Sequence, residues 1–138
     1  MTKETEYYIT DTEFMEELSC YAFRHEGYVC VLKRVCHSLT LNGYVGIPST
    51  HRLFGTPYHE LMVDVHGGLT YSYKSLIDFD NLLPDLWWFG FDTNHLHDKA
   101  PLSLFPPRAN DGVYRNMGYV IQGTKSLAEQ LKKLEHTT

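Results

Sequence analysis

The sequence predicts an α+β fold, in which an antiparallel or mixed sheet carries a short N-terminal helix and a long C-terminal helix. Three segments, 28–32, 39–47 and 86–91, are rich in the β-branched and aromatic residues that favour strands. After residue 117 the apolar residues instead recur every three or four positions, which is the spacing of a helix. A chain of 138 residues is long enough for one domain, so we expect a single domain over residues 1–138.

The first predicted element is a helix over residues 12–23, where apolar residues share one face and which Gly27 terminates. The first two strands follow it, and the polar stretch 34–38 between them predicts an antiparallel hairpin. Pro48 ends the second strand, because proline has no N–H to donate to a neighbouring strand.

The middle of the chain alternates loops with short strands. Residues 48–60 are a loop by composition, and strand-like pieces at 61–65 and 69–73 flank a His-Gly-Gly sequence. The apolar run 86–91 predicts a buried strand. Residues 92–111 contain three prolines and predict a long irregular connection, a kind of segment that is often functional.

The C-terminal helix has the strongest pattern in the chain. From Met117 to Leu134 the apolar residues form a continuous stripe, which predicts a helix with one face on the core. Lys132 and Lys133 lie near its carboxyl end, where positive charge is favourable.

Composition excludes several classes of protein. The chain has 12 Lys and Arg against 17 Asp and Glu, a formal charge of −5, which disfavours bulk nucleic-acid binding but is compatible with a small anionic ligand in a local pocket. No apolar run approaches the ~20 residues that span a bilayer, so we expect no membrane segment. The polar N-terminus and the three cysteines, without a C-x-x-C pair, predict a cytoplasmic protein with buried, reduced thiols.

The densest cluster of polar side chains follows the strand 86–91. Asp92, His95 and Asp98 lie within seven residues, and such a set can bind a divalent metal or supply acid and base groups. We therefore name the three as candidate metal ligands and His95 also as a candidate catalytic residue. The alternative is an exposed turn in which the side chains cap the backbone or are solvated.

Further candidates come from three other segments. His66 is a candidate general base or ligand, and the amides of Gly67 and Gly68 are candidate anion contacts; the alternative is a β-turn with a structural histidine. His51 is a third candidate catalytic histidine, and Arg52 beside it suits a phosphate or carboxylate, although a solvated loop also explains both.

The two tryptophans, Trp87 and Trp88, are adjacent in a strand and therefore point to opposite faces of the sheet. If one face were uncovered, the ring of Trp88 could stack on a base. The alternative is that both rings pack in the core.

The chain resembles a family of small, mostly uncharacterised proteins of tailed phages and prophages. The resemblance covers about residues 28–135 and rests on Gly-Tyr-Val-Gly-Ile-Pro at 43–48, Val-His-Gly-Gly-Leu-Thr-Tyr-Ser at 65–72 and Trp-Trp-Phe-Gly-Phe-Asp at 87–92. His95 and Asp98 continue the last motif, and His51, His66 and Asp92 also fall on motif positions, whereas His97 departs from the family's glycine. Small phage proteins often counter host defences that use nucleotide signals, so the resemblance implies a role in the host cytoplasm.

The sequence thus favours a small hydrolase, with a phosphodiesterase acting on a nucleotide-derived signal as the first reaction to test. His51, His66 and His95 would supply acid and base groups or metal ligands, with Asp92 and Asp98 as ligands or orienting groups.

Two other functions stay open. One is a non-catalytic binder that sequesters a small nucleotide, in which case an aromatic-rich domain could also form a homo-oligomer and bind at subunit interfaces. The other is an interaction module that inhibits a host defence protein through exposed aromatic side chains.

Overall fold

A five-stranded antiparallel sheet forms the centre of the fold and confirms the α+β prediction. The computed structural model describes residues 8–9, 11–77, 79, 82–83, 85–103 and 112–136. Its strands are β1 (Tyr8–Ile9), β2 (Cys20–His25), β3 (Tyr28–Arg34), β4 (Leu41–Ile47), β5 (Tyr71–Tyr73), β6 (Trp87–Phe91) and β7 (Leu102–Ser103). The sheet has the order β2-β3-β4-β6-β5, while β1 and β7 pair separately.

The helix α1 (Met117–Leu134) lies on one face of this sheet, as its apolar stripe predicts. Five of its residues are buried against the sheet: Val120, Thr124, Leu127, Ala128 and Leu131. Gly43 in β4 lets the helix approach, because a Cβ there would lie 2.3 Å from Oγ1 of Thr124. The packing fixes α1 over β3 and β4 and sets the position of its first turn.

The opposite face of the sheet is also covered. Val29, Val31 and Trp88 are buried there against Leu76, and partly buried apolar residues of 79–86 pack around them. Trp87 instead packs with the core beneath α1, so the two tryptophans do point to opposite faces. Because both faces of the sheet are covered, β3 is apolar without interruption from Tyr28 to Leu32, the part of the strand that is buried.

The N-terminal prediction of a helix over 12–23 is wrong. A single 3-10 turn spans Glu13–Glu16, and the rest of the segment enters β2, which pairs with β3 along its whole length. Glu26 and Gly27 both have positive φ and form the two-residue turn of a β-hairpin between β2 and β3. Gly27 therefore belongs to a hairpin turn and does not terminate a helix. Pairing with β3 outweighs the helical spacing of a few apolar residues.

Other boundaries are shorter than predicted. Segment 61–65 forms no strand, and the strand expected at 69–73 is shortened to β5. Part of the irregular connection predicted over 92–111, residues 104–111, lies outside the described residues. All three cysteines are free, as expected for reduced thiols, but the prediction that they are buried is wrong for Cys20 and Cys36, which are exposed; only Cys30 is buried.

Antiparallel pairing brings the ends of several elements together. β5 begins where β6 ends, and the amide of Thr70 donates to the carbonyl of Gly90 at 2.9 Å. The segments that precede β5 and follow β6 therefore share one end of the sheet. No helix among the described residues combines the length and apolar character that crossing a membrane requires.

Candidate functional site

Three segments meet at this end of the sheet: the turn 65–68, the loop 92–98 and the first turn of α1. The amide of Gly68 donates to the carbonyl of Val65 at 3.0 Å, which closes a β-turn with His66 and Gly67 at its centre. Gly67 has a φ of +67°, the conformation that a type II turn needs at its third position. The turn presents the imidazole of His66 toward the other two segments.

The imidazole of His66 is hydrogen-bonded at both nitrogens. Nε2 lies 2.7 Å from Oδ2 of Asp98, and Nδ1 lies 2.7 Å from the hydroxyl of Tyr119 on α1. The side chain is 15% exposed, so it is largely enclosed by these two partners. His66 therefore links a carboxylate from one segment to a hydroxyl from another.

Asp98 is the buried anchor of the cluster, with its side chain 1% exposed. Burial alone would raise the pKa of Asp98, but hydrogen bonds from His66, from the amide of His95 and from Arg115 outweigh it and hold that pKa below its ordinary value. Asp98 is therefore ionised at neutral pH and accepts the proton of Nε2 on His66. In the neutral form of this imidazole Nδ1 carries the free lone pair, and the Tyr119 hydroxyl donates to it.

Tyr119 and Arg115 complete the site, and sequence reasoning missed both. Nε of Arg115 donates to Oδ1 of Asp98 at 3.0 Å, and its guanidinium carbon lies 4.9 Å from the centre of the Tyr119 ring. Tyr119 is 41% exposed and its amide donates to the capping side chain of Asn116 at 2.9 Å, which fixes the first turn of α1. The available signal was an aromatic residue outside the apolar stripe of an amphipathic helix.

His95 stands beside His66, with ring centres 5.8 Å apart. Its Nε2 lies 3.0 Å from Oδ1 of Asp92, although not in line for a hydrogen bond. A Cβ on Gly67 would lie 2.2 Å from the same nitrogen, so only glycine admits the imidazole at this distance. The predicted residues His66, Asp92, His95 and Asp98 are thus brought together.

His51 and Arg52 lie elsewhere. His51 is 2% exposed; its Nε2 is 2.8 Å from the carbonyl of Leu131, and its Nδ1 accepts from the amide of Leu53. Nε of Arg52 donates to the carbonyl of Leu134 at 2.5 Å. Both side chains satisfy carbonyls at the carboxyl end of α1. Leu131 is about 18 Å along the helix from Tyr119, at about 1.5 Å per residue, so His51 is not part of the cluster.

Two ligand-binding candidates have other roles in the fold. Trp88 is 1% exposed and packs with Val29, Val31 and Leu76, an arrangement that favours the packing alternative over stacking on a base. The amide of Gly68 is used inside the β-turn.

The geometry gives no support to a metal centre. Within the described ranges, no three His, Cys, Asp or Glu residues are placed to hold a metal ion. Asp98 uses its two oxygens on Arg115, His66 and a backbone amide, and Asp92 faces His95 instead. The carboxylates of Asp98 and Asp92 thus face other groups of the same cluster, as in a site for acid–base chemistry.

An open cleft of about 430 Å³ lies next to His66 and Tyr119, on the side of α1. Gln130 holds one wall of it in place, because its side chain accepts from the amide of Asp64 at 2.7 Å and donates to the carbonyl of Asp64 at 2.8 Å. The lining residues are Asp64, Val65, His66, Tyr119, Gln122, Gly123 and Ser126.

Comparison of the chain with protein-family models, curated proteins and solved structures found no match. The resemblance to phage proteins accordingly stays a prediction from the sequence.

Proposed function

We propose that the protein is a small, metal-independent hydrolase that cleaves a phosphodiester bond in a nucleotide-derived ligand. The strongest support is a chain of two hydrogen bonds that joins Tyr119 to His66 and His66 to Asp98. The Tyr119 end of this hydrogen-bonded chain lies at the cleft beside α1. A hydroxyl, an imidazole and a carboxylate in this order form the arrangement that activates a nucleophile in acyl- and phosphoryl-transfer enzymes.

The hydroxyl of Tyr119 is the reacting group in this proposal. In the free site both nitrogens of His66 are engaged, so the imidazole can exchange protons with a ligand only after Nδ1 has taken the Tyr119 proton. Tyr119 is the most exposed of the three hydrogen-bonded residues, and its side chain lines the cleft.

The reaction has two halves. In the first, Nδ1 of His66 takes the Tyr119 proton while the phenol oxygen bonds to phosphorus; the bond to the leaving alcohol breaks, and the imidazolium gives that oxygen its proton. In the second, a water loses its proton to Nδ1 and attacks the tyrosyl phosphodiester, and the released phenol oxygen regains the proton. One water is consumed, and a phosphomonoester and an alcohol are formed.

Positive charge lies beside the reacting hydroxyl, although the cleft itself is lined by one carboxylate, that of Asp64. Arg115 places a positive charge against the Tyr119 ring, and the imidazole of His66 becomes a second cation in the transition state. Asp98 stabilises that imidazolium and keeps its ring oriented. The cations are local, which is compatible with an overall charge of −5.

The experiment replaces Tyr119 with Phe, which removes only the hydroxyl. Hydrolysis of bis(4-nitrophenyl) phosphate and of a cyclic dinucleotide is measured with and without EDTA. We expect kcat to fall by about 10²–10⁴-fold in Tyr119→Phe and activity to survive the chelator. Tyr73→Phe, at an exposed tyrosine of β5, is the matched control and keeps full activity.

A second outcome would favour sequestration. If the unchanged protein binds the cyclic dinucleotide and releases it intact after heat denaturation, the hydrolase proposal is wrong and the protein is a binder. If it neither binds nor cleaves either compound, the nucleotide proposal is wrong altogether.

The resemblance to phage proteins extends the proposal to a biological setting. In an infected cell the enzyme would act in the host cytoplasm and remove a nucleotide signal of the defence response.

A further inference from the structure

The strand β2 is an exposed edge of the five-stranded sheet, and nothing in the proposed function uses it. It stands at one end of the order β2-β3-β4-β6-β5, and among the described residues no strand pairs with its outer side. Four of its six residues are exposed, and the other two, Phe23 and His25, are partly buried. Such an edge presents unpaired N–H and C=O groups to which another strand can bind.

The hydrogen bonds to β3 determine which backbone groups of β2 are free. The amide of Arg34 donates to the carbonyl of Ser19 at 2.9 Å, and the β2–β3 register places these two residues opposite each other. Hydrogen-bonded pairs alternate along an antiparallel ladder, so every second residue from Ser19 to His25 bonds to β3. The N–H and C=O groups of the residues between them point away from the sheet: Cys20, Ala22 and Arg24.

β2 lacks the features that prevent an edge strand from pairing. Edge strands are commonly protected by short length, by lysine or proline, or by a β-bulge. The opposite edge of this sheet, β5, is only three residues long, and Lys74 follows it directly. β2 has the sequence Cys-Tyr-Ala-Phe-Arg-His, without Lys or Pro, and its register with β3 is free of bulges. We therefore expect another strand to cover this edge.

The free backbone groups of β2 match those of a second copy of the same strand. Two antiparallel copies related by a two-fold axis form a continuous sheet with both α1 helices on one face. With the axis at Ala22, all the free groups of β2 meet free groups, because Ala22 faces its own counterpart and Cys20 faces Arg24 of the second copy. An axis at Tyr21 or Phe23 pairs fewer of them within β2.

The side chains are compatible with the same pairing. Ala22 has the smallest side chain of β2, and it lies where two identical side chains meet. Tyr21 faces Phe23 of the second copy on the α1 side of the sheet, where Phe23 already packs against the core. Cross-strand aromatic pairs of this kind stabilise a sheet. Arg24 faces the thiol of Cys20, so no like charges meet.

We propose that the protein forms a homodimer in which β2 pairs antiparallel with β2 of a second copy, with the two-fold axis at Ala22. The pairing joins the two five-stranded sheets into one. The cluster around His66 precedes β5, at the other edge of the sheet, so the dimer does not rest on the proposed function.

The test is the oligomeric state of the full chain, measured by sedimentation velocity over a range of concentrations. We expect the unchanged protein to be a dimer at micromolar concentrations and to dissociate on dilution. Ala22→Pro removes the N–H that pairs at the axis without removing a hydrogen bond to β3, and it should weaken the dimer by about tenfold or more.

Ala22→Ser is the matched control, because it keeps the backbone N–H and a small side chain. It should dimerise like the unchanged protein. A monomer at every concentration up to about 1 mM, or a dimer that Ala22→Pro leaves unaffected, would overturn the proposal.

If Ala22→Pro fails to fold, charge variants at the same exposed position give the answer. Ala22→Lys and Ala22→Glu each place like charges opposite one another at the axis, whereas an equimolar mixture of the two places opposite charges there. We expect each variant alone to dimerise more weakly than the unchanged protein and the mixture to recover the dimer. A mixture that sediments like the separate variants would overturn the pairing at Ala22. Loss of the dimer and loss of hydrolysis are measured separately, so either proposal can fail alone.

Discussion

Oδ2 of Asp98 lies 2.7 Å from Nε2 of His66, and this contact decides which nitrogen of the imidazole carries the proton. Asp98 is ionised, because its hydrogen bonds hold its pKa below the ordinary value despite burial. An ionised carboxylate can only accept, so the proton lies on Nε2 and Nδ1 faces Tyr119 as a base. A residue 32 positions away along the chain thus prepares His66 for proton exchange.

Asp98→Asn tests this relationship directly. The side-chain amide of the new residue donates to Nε2, which moves the imidazole proton to Nδ1 and removes the base that faces Tyr119. We expect kcat for diester hydrolysis to fall on the order of 10⁴-fold, as expected when a catalytic histidine is held in the wrong tautomer. Asp85→Asn, at an exposed carboxylate, is the control and keeps its activity. Equal activity in the two variants would show that Asp98 has only a structural role.

The same variant makes a prediction about stability and pH. The pKa of Asp98 is lower in the folded state than its ordinary value of 3.8, so its ionisation stabilises the fold above that pH and the contribution is lost as pH falls through the folded pKa. We expect Asp98→Asn to lower the free energy of unfolding at pH 7 by about 1–3 kcal/mol, because Arg115 and His66 lose a charged partner.

Denaturant unfolding at pH 7, 5, 4 and 3 measures this difference. It should narrow below pH 4, because Asp98 of the unfolded chain then takes up a proton while Asp98 of the folded protein, with its lower pKa, is still ionised. A difference that stays constant down to pH 3 would mean that the charge of Asp98 does not stabilise the fold.

Gly67→Ala tests the close contact between the β-turn and His95. The new Cβ would lie 2.2 Å from Nε2 of His95, so the imidazole must move. Gly68→Ala is a matched control, because Gly68 also has a positive φ, of +82°, but a Cβ there meets nothing within 4 Å. Both variants carry about 1–2 kcal/mol of left-handed backbone strain.

We expect Gly67→Ala to lose a further ~1–3 kcal/mol from steric crowding and to shift the His95 resonances in NMR spectra. Thermal unfolding of the two variants gives the comparison. Equal losses of stability in the two variants would mean that His95 moves aside without a cost in folding free energy.

The sequence predicts an element correctly where one local pattern is enough to determine its structure. Runs of β-branched and aromatic residues predict three of the strands, β3, β4 and β6, which are largely buried on both faces. One apolar stripe predicts the helix α1. His66, Asp92, His95 and Asp98 were found because they lie next to a turn or a strand end, where antiparallel pairing gathers side chains from distant segments.

The failures come from contacts that no local pattern encodes. The segment of β2 has apolar residues at helical spacing, yet its partner β3 makes it a strand. His51 resembles a catalytic histidine in sequence, but the end of α1 uses it to satisfy a carbonyl. Tyr119 and Arg115 carry no motif, and they become site residues only because α1 begins beside the loop 92–98.

The three cysteines differ in chemistry, and this gives a final prediction that does not depend on function. Burial raises the pKa of Cys30 to about 12, so at pH 8 the thiolate that reacts with alkylating agents is scarce and enclosed by the core. Cys20 and Cys36 are exposed. We expect N-ethylmaleimide to add two adducts to the folded protein and three in denaturant, as counted by intact mass. Peptide mapping should place the third adduct on Cys30, and rapid labelling of Cys30 in the folded state would contradict the packing of β3 beneath α1.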